Sequence, residues 1–294
     1  MPTFSGPTTA AVLLTVAALT TASCTGGGGQ LAEQTVTSAP ASTAAPVRGV
    51  EPIPVEELRG PRTASAAAQE IGDVETALRS TDSPAPALGR RQQLAYRALS
   101  AHPRWATTVL ARVPAEVRDA VQANLDAGVA LSHLTGEAPP AFPQWEIRES
   151  RSVATLRGFY DEAEAATGIH WAYLAAIHLV ETRMGRIHGL SSAGAQGPMQ
   201  FIPETWASYG EGDIDDDHDA IQAAGRYLAS RGGPTDMGRA LFSYNNDERY
   251  VAAIEAYASV LLADPRAYAG YHQWQVFYAT TAGTFLLPEG FTTA

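Results

Sequence analysis

Helical periodicity is the feature that most constrains how this 294-residue chain can fold. Beyond about residue 63, apolar residues recur every three or four positions, and no run alternates with the period of two that marks a half-buried strand. The predicted helices are Gln92–Ala101, Pro103–Ala111, Pro114–Leu134, Val153–Thr167, Trp171–Met184, Ala220–Arg231 and Tyr250–Leu262. A closing aromatic helix is predicted from the spacing of Tyr268, Tyr271, Trp274, Phe277 and Tyr278. The pattern therefore predicts an all-α (mainly α) fold.

The amino-acid composition limits the kinds of molecule that we expect this protein to bind. Hydrophobic residues form 45% of the chain, which is enough to build the core of one large or two small domains. Acidic residues outnumber basic residues by 31 to 20, for a formal net charge of −11, and there is no long run of Lys or Arg. Because proteins bind nucleic acids largely by neutralising phosphates with such cations, we expect no nucleic-acid partner.

The first 24 residues have the pattern of a signal peptide. Ala10–Ala22 is an apolar run that is long enough for the core of such a signal and short for a membrane span. It is followed by Cys24, and since this is the only cysteine, no disulfide can form within the chain. The segment Thr21-Ala-Ser-Cys24 resembles a bacterial lipobox, although Thr21 replaces the usual Leu and no Lys or Arg precedes the apolar run. We therefore expect a protein exported to the cell envelope. It would be anchored by a lipid on Cys24 to the outer face of the bacterial cytoplasmic membrane, or else secreted with an incidental free cysteine.

Composition also divides the rest of the chain. Residues 25–62 are rich in Gly, Ser, Thr, Ala and Pro, which predicts a flexible tether. Residues 63–137 form a helical accessory segment with no chemical motif, and a Pro-rich stretch separates it from residues 145–282. That second section carries the chemistry and is predicted to be the catalytic domain. Residues 283–294 are predicted to be a tail.

Glu181 is the candidate catalytic residue. On its predicted helix it follows Trp171 and Leu174 at helical spacing, so its carboxylate shares a stripe with bulky apolar side chains. Burial disfavours the charged carboxylate and raises its pKa, as a general acid for a glycosidic oxygen requires near neutral pH. The structural alternative is a buried glutamate paired with an arginine such as Arg183 or Arg186.

The stretch Ser191–Trp206 has the composition of a sugar-binding loop. Its small residues let the backbone approach a ligand, while Met199, Gln200, Phe201 and Trp206 supply apolar walls and an amide. On its own this signal is weak, because Gly-rich turns often precede helices.

Three motifs in order then carry a family resemblance. They are Glu181-Thr-Arg, Gly194-Ala-x-Gly-Pro-Met-Gln-Phe-x-Pro-x-Thr-Trp206 and Phe242-Ser-Tyr-Asn245. Together they resemble the catalytic domain of soluble and membrane-bound lytic transglycosylases, relatives of goose-type lysozyme, over about residues 145–278. The Phe201 and Thr182 positions are closer to the membrane-bound B-type branch, and the Met199 position is closer to the soluble branch. The resemblance implies a lysozyme-like fold for this section.

The resemblance also implies a reaction. Members of the family cleave the β-1,4 bond between N-acetylmuramic acid and N-acetylglucosamine in peptidoglycan glycan strands, without a cofactor. One glutamate, matched by Glu181, protonates the leaving oxygen and then acts as base, while the sugar's own 6-hydroxyl closes a 1,6-anhydromuramoyl end. The substrate-binding positions that it implies are Ser191 or Ser192 beside the muramoyl 2-acetamido group, Met199, Gln200 and Phe201 along the groove, and Tyr244 and Asn245 opposite the acid.

An acidic run leaves a lysozyme-like hydrolase (muramidase) open as the alternative. Such an enzyme needs a second carboxylate, about 5–5.5 Å from the first for retention or about 6.5–9.5 Å for inversion. The run supplies candidates for it at Asp213, Asp215, Asp216, Asp217 and Asp219. The alternative that is not an enzyme is a non-catalytic peptidoglycan-binding or scaffold protein.

The same acidic run has two further interpretations. Asp213, Asp215 and Asp217 alternate like the opening of an EF-hand loop, but His218 stands where that loop needs Gly and Ala224 stands where it needs Glu. We therefore predict no metal site and expect Asp217 or Asp219 to cap the following helix. In the same way, Asn245, Asn246 or Asp247 could begin the helix predicted from Tyr250.

Overall fold

The computed structural model describes residues 50–81, 83–134 and 136–293, and most of these residues are helical. The eleven α-helices of this described part are α1 (Ala64–Arg79), α2 (Pro86–Ala101), α3 (Ala106–Arg112), α4 (Arg118–Leu134), α5 (Val153–Thr167), α6 (Trp171–Thr182), α7 (Pro203–Tyr209), α8 (Asp217–Ser230), α9 (Met237–Tyr244), α10 (Glu248–Ala263) and α11 (Ala267–His272). The predicted mainly α fold is confirmed. None of these helices combines the length and the apolar character needed to cross a bilayer. The predicted signal peptide, with Cys24, lies outside the described residues.

One hydrophobic core joins the N-terminal helices to the rest of the protein. Leu99 of α2 and Leu125 of α4 lie in the same buried cluster as Leu174 of α6 and Ile254 of α10. Helix α10 packs against both α4 and α6. Truncating a fully buried leucine such as Leu174 to alanine would cost about 2–5 kcal/mol of folding free energy. The N-terminal helices thus belong to the frame that holds α6 in place.

Five short strands complete the described fold. They are β1 (Ile53–Pro54), β2 (Glu146–Ile147), β3 (Ile187–His188), β4 (Val276–Thr280) and β5 (Gly283–Leu287). The first sheet has the antiparallel order β1-β5-β4, and β2 pairs with β3. A second apolar cluster covers both sheets and consists of Trp145, Ile147, Ile187, Val276, Leu287 and Phe291. Because Ile187 pairs with Ile147, this cluster fixes the chain five residues after the end of α6.

The predicted closing aromatic helix is wrong beyond His272. Helix α11 ends there, and Phe277 and Tyr278 lie on β4. The side chain of Gln93 donates to the carbonyl of Gln275 and accepts from its amide, each at 2.8 Å. These two bonds occupy backbone groups that a continuing helix would need, so the chain leaves the helix at this point.

The predicted tail and tether are corrected at their inner ends. Gly283–Leu287, placed in the tail, form the central strand of the first sheet, and Ile53–Pro54, placed in the tether, form its edge strand. Aromatic and β-branched residues on β4 and β5 favour a hairpin, and Gly283 supplies the positive φ of 134° at its turn. Residues 25–49 of the tether lie outside the described residues.

The predicted cap of α8 is also corrected. The helix begins at Asp217, and its N-cap is Asp216, whose Oδ1 accepts from the amides of His218 at 2.9 Å and Asp219 at 3.3 Å. Asp217 and Asp219, the predicted caps, have other partners, which are described below. Helix α10 begins one residue after Asp247, one of the three caps predicted for it.

Candidate active site

Glu181 lies in the last turn of α6, a helix that is buried on almost every side. Every residue of α6 except Tyr173 is buried, and Glu181 is 1% exposed. The helix ends in three consecutive residues with left-handed backbone, Arg183 (φ 55°), Met184 (φ 60°) and Gly185 (φ 76°). Because residues other than glycine rarely adopt positive φ, the surrounding structure must hold this turn in place.

Two contacts hold the turn that follows Glu181. The hydroxyl of Thr182 accepts from the amide of Gly185 at 3.1 Å and donates to the carbonyl of Pro198 at 2.6 Å. The second bond ties the end of α6 to the stretch Ser191–Trp206, which we call the Gly-rich loop. A side chain at Gly185 would place its Cβ 2.5 Å from Oδ1 of Asp217, at the start of α8. The turn therefore requires glycine both for its φ and for its space.

The surroundings of Glu181 favour the protonated acid. Burial raises its pKa from 4.5 to about 8, against the opposing effects of a hydrogen bond from Tyr250 and the positive charge of Arg183. The Tyr250 hydroxyl donates to Oε1 of Glu181 at 2.7 Å. Since the effect of burial is the largest, Glu181 carries a proton at neutral pH and can transfer it to a substrate oxygen.

The structural alternative of a Glu181–arginine ion pair does not hold within the described residues. No nitrogen of Arg183 comes within salt-bridge distance of Glu181, and Nη1 of Arg183 donates instead to the carbonyl of Leu179. Arg186 lies 3.5 Å from the carboxylate of Glu289. Glu181 therefore has a tyrosine and not a cation as its direct partner.

Two tyrosines connect Glu181 to the Gly-rich loop. The rings of Tyr250 and Tyr244 are nearly parallel, at an angle of 4° and with centroids 6.4 Å apart. The Tyr244 hydroxyl donates to the carbonyl of Met199 at 2.6 Å, and the Met199 side chain is fully buried. Phe201 lies against Tyr244, with ring centroids 6.0 Å apart. The loop therefore stands in a fixed position relative to the acid.

Local hydrogen bonds shape the Gly-rich loop itself. Oγ of Ser191 accepts from the amides of Ala193 at 3.2 Å and Ala195 at 3.0 Å, and an isolated bridge between Gln196 and Phe201 closes the loop. At Gly197 (φ 71°) an added Cβ would lie 1.8 Å from the carbonyl oxygen of Ile214. Glycine is therefore required where the loop crosses the chain that leads into α8.

The remaining predicted substrate-binding residues differ in exposure. Gln200 is buried, has a φ of 52°, and donates from Nε2 to the carbonyl of Gly197 at 2.9 Å. Asn245 is fully buried at the end of α9, where its amide donates to the carbonyl of Leu241 at 3.0 Å. Ser192 is exposed. The contacts of these residues with a glycan stay predictions.

The acidic run is occupied by contacts within the protein. Arg151 donates to Asp216 and to Asp217, each at 2.8 Å, and Oδ1 of Asp217 lies 3.5 Å from Nε2 of buried His178. Oδ2 of Asp219 accepts from the amide of Asp213 at 2.9 Å. None of these carboxylates is among the described groups that shift the pKa of Glu181.

The same contacts bear on metal binding. Among the described residues, Asp216, His218 and Asp219 bring three possible ligand atoms within 4.8 Å of one another. One oxygen of Asp216 caps α8 and the other accepts from Arg151, while both oxygens of Asp219 accept hydrogen bonds. These ligand atoms therefore all take part in contacts within the protein.

The sequence predicted Glu181 as the catalytic residue, which stays a prediction, and it did not single out Tyr250 and Thr182, which contact that residue and the turn after it. Tyr250 was only the first residue of a predicted helix, and its partner lies 69 positions away. Its one available signal is that a tyrosine on the buried face of a helix needs a partner for its hydroxyl.

Comparison with known families finds that residues 159–260 match the family described as the transglycosylase SLT domain. Searches among curated proteins and among solved structures gave no match. The matched region runs from α5 into α10 and contains Glu181, the Gly-rich loop, Tyr244 and Tyr250. This region is therefore similar to the transglycosylase SLT domain, and the similarity supports a mainly helical, lysozyme-like region that acts on peptidoglycan.

Proposed function

We propose that this protein is a peptidoglycan lytic transglycosylase in which Glu181 serves alone as acid and base. One observation carries the proposal: burial raises the pKa of Glu181 to about 8, and its direct partner is the hydroxyl of Tyr250 and not a second carboxylate. A retaining or inverting hydrolase uses a second carboxylate, at about 5–9.5 Å from the first. Attack by the substrate's own hydroxyl group needs none.

The proposed reaction has two steps. In the first, Glu181 donates its proton to the glycosidic oxygen as the bond to the anomeric carbon of N-acetylmuramic acid breaks, which frees the 4-hydroxyl of N-acetylglucosamine. In the second, the muramoyl 6-hydroxyl bonds to that carbon and gives its proton to the Glu181 carboxylate. The product carries a 1,6-anhydromuramoyl end, no water is consumed, and the acid is regenerated. The hydrogen bond from Tyr250 stabilises the carboxylate between the two steps.

The Gly-rich loop and the tyrosine pair form the proposed glycan groove. In this proposal Ser191 or Ser192 binds the muramoyl 2-acetamido group. The other residues proposed to line the groove are Met199, Gln200, Phe201, Tyr244 and Asn245. The bond from Tyr244 to Met199 supports this placement, because it joins the two walls.

A peptidoglycan substrate requires a protein outside the cytoplasm, so export through residues 1–24 belongs to the proposal. Anchoring by a lipid on Cys24 belongs to it as well, with secretion as the alternative.

The test is to digest purified peptidoglycan with the protein and with its Glu181→Gln variant, and to identify the released muropeptides by mass spectrometry. Anhydro-ended products from the parent alone are expected. Reducing ends would show a muramidase and direct attention to Asp217. If neither protein releases product, a binding or scaffold role is favoured. Thermal unfolding of both proteins controls for loss of fold.

A further inference from the structure

Arg97 and Arg183 have no carboxylate in salt-bridge contact among the described residues. Arg97 lies on α2 and Arg183 follows Glu181 by two residues, and neither forms a salt bridge with any described residue. Nε of Arg97 is buried and has no hydrogen-bond partner in the described part of the chain. Buried polar groups are nearly always satisfied, so this nitrogen is open to a partner that the described residues do not supply, either water or a ligand.

Aromatic rings surround Arg97, and the charge of Arg183 acts on Arg97. The guanidinium of Arg97 lies over the ring of Phe277, 4.1 Å from its centroid. The Trp274 ring contacts both Tyr96, the neighbour of Arg97, at 6.4 Å between centroids, and Tyr257 of α10 at 5.8 Å. Tyr257 is close enough to both arginines for their charges to act on its hydroxyl, and that hydroxyl takes part in no hydrogen bond with a described residue.

The charges in this cluster are unbalanced. Burial and the charge of Arg183 lower the pKa of Arg97 to about 10, so it stays protonated at neutral pH. Glu181 is the one described carboxylate whose charge acts on Arg183, and none acts on Arg97. Because Glu181 itself carries a proton at neutral pH, two cations share a half-buried site without a counter-charge. An anion would supply the missing interactions, and the planar guanidinium fork suits a carboxylate.

We propose that Arg97, Arg183 and Tyr257 form a subsite that binds a carboxylate of the peptidoglycan strand while Glu181 acts on the neighbouring glycosidic bond. The choice of peptidoglycan as the ligand of this subsite rests on the proposed function. Peptidoglycan presents carboxylates on the peptide stem and, where the stem has been removed, on the muramoyl lactyl group. The N-terminal helices, through Arg97 on α2, would then contribute directly to substrate selection.

The test compares the parent protein with Arg97→Gln and with a matched control, Arg104→Gln, which removes an exposed arginine close to the end of α2. The substrates are strands with native stem carboxylates, the same strands with those carboxylates amidated, and strands stripped of peptide. We expect the parent to cleave one of the two carboxylate-bearing strands with a kcat/KM about tenfold above that for amidated strands, since hydrogen bonds to charged groups have about this effect. The strand that shows the preference identifies the source of the carboxylate.

Arg97→Gln should bring that ratio close to one, and Arg104→Gln should keep it. If Arg97→Gln lowers cleavage of all three substrates by the same factor, or leaves the ratio unchanged, the subsite is wrong and Arg97 only packs against Phe277.

A binding measurement separates this proposal from the proposed function. In the Glu181→Gln background, fluorescent strands can be titrated without cleavage, and adding Arg97→Gln should weaken binding of the carboxylate-bearing strands about tenfold but not that of amidated strands. If no variant cleaves peptidoglycan but this difference in binding is found, the subsite stands and the enzymatic function fails. If cleavage occurs and binding does not depend on the carboxylates, the function stands and the subsite fails.

Discussion

The hydroxyl of Tyr250 donates a hydrogen bond of 2.7 Å to Oε1 of Glu181, and both side chains are buried. This bond favours the charged carboxylate, whereas burial favours the neutral acid. The two opposing effects leave the pKa of Glu181 at about 8. A residue that must give and take back a proton in one cycle works best with a pKa close to the ambient pH.

The Glu181→Gln variant should be more stable than the parent at alkaline pH. The native pKa of about 8 lies above the ordinary 4.5, so the native state binds a proton that the unfolded state releases. The stability that Glu181 contributes is therefore present below pH 4.5 and is lost as the pH rises towards 8, whereas glutamine does not titrate. Urea unfolding at pH 4 and pH 9 should show a gain for the variant on the order of a few kcal/mol at pH 9 only. An equal difference at both pH values would show that Glu181 is not held protonated.

Tyr250→Phe should move the alkaline limb of the rate profile to higher pH. Without the hydroxyl, burial acts on Glu181 with less opposition and its pKa rises further. The rate below that limb should fall about tenfold, because the carboxylate formed between the two steps loses a hydrogen bond to a charged group. The measurement is kcat/KM for anhydromuropeptide release between pH 5 and pH 10.

Tyr271→Phe is the matched control for that profile, since it removes a buried hydroxyl that bonds to Asn124 and not to Glu181. Its alkaline limb should coincide with that of the parent. If both variants shift the limb together, the change comes from a general loosening of the core.

Local patterns predicted the helices of the site well. Val153–Thr167 has the predicted bounds, and α6 ends two residues before the predicted Met184. These segments have clear signals, a Ser152 cap and a Gly168 in left-handed conformation for the first and a continuous apolar run for the second. The helix that carries Glu181 and the burial of its side chain could be predicted because both follow from the apolar pattern of nearby residues, whereas its catalytic role stays a prediction.

The parts that could not be predicted depend on contacts distant in sequence. The bond between Tyr250 and Glu181 joins residues 69 positions apart, and the one that ends α11 joins Gln93 to Gln275. The spacing of the aromatic residues up to Trp274 is helical. One residue later, the side chain of Gln93 on α2 forms hydrogen bonds with the backbone of Gln275, and the helix does not continue. Helix propensity predicts secondary structure poorly where a buried side chain forms hydrogen bonds with the backbone in this way.

Tyr244→Phe should weaken the fold and the substrate affinity together. The Tyr244 hydroxyl is the buried donor to the Met199 carbonyl, and leaving such an acceptor without its donor costs about 1–3 kcal/mol of unfolding free energy. Because the freed carbonyl lies in the Gly-rich loop, KM should rise more than kcat falls. Urea unfolding and steady-state kinetics measure the two effects. Tyr209→Phe, in which a partly exposed hydroxyl is removed, should change either quantity little.

Gly185→Ala should damage both stability and activity through the turn that follows Glu181. The new Cβ would lie 2.5 Å from Oδ1 of Asp217 and 3.3 Å from Nε2 of His178, at a backbone φ of 76°. The clash should push the end of α6 away from α8, and a displacement of about 1 Å in a catalytic group can cost about 100-fold in rate.

The matched control is Gly168→Ala, at a nearly identical φ of 75° but with its nearest neighbour at an ordinary 3.7 Å. Both variants bear the cost of about 1–2 kcal/mol for a side chain in left-handed conformation. The clash should add about 1–3 kcal/mol at Gly185 alone. Urea unfolding and muropeptide release measure the difference. If the two variants lose the same stability and both keep their activity, contact with Asp217 does not fix the position of Glu181, and the hydrogen bonds of the turn hold it instead.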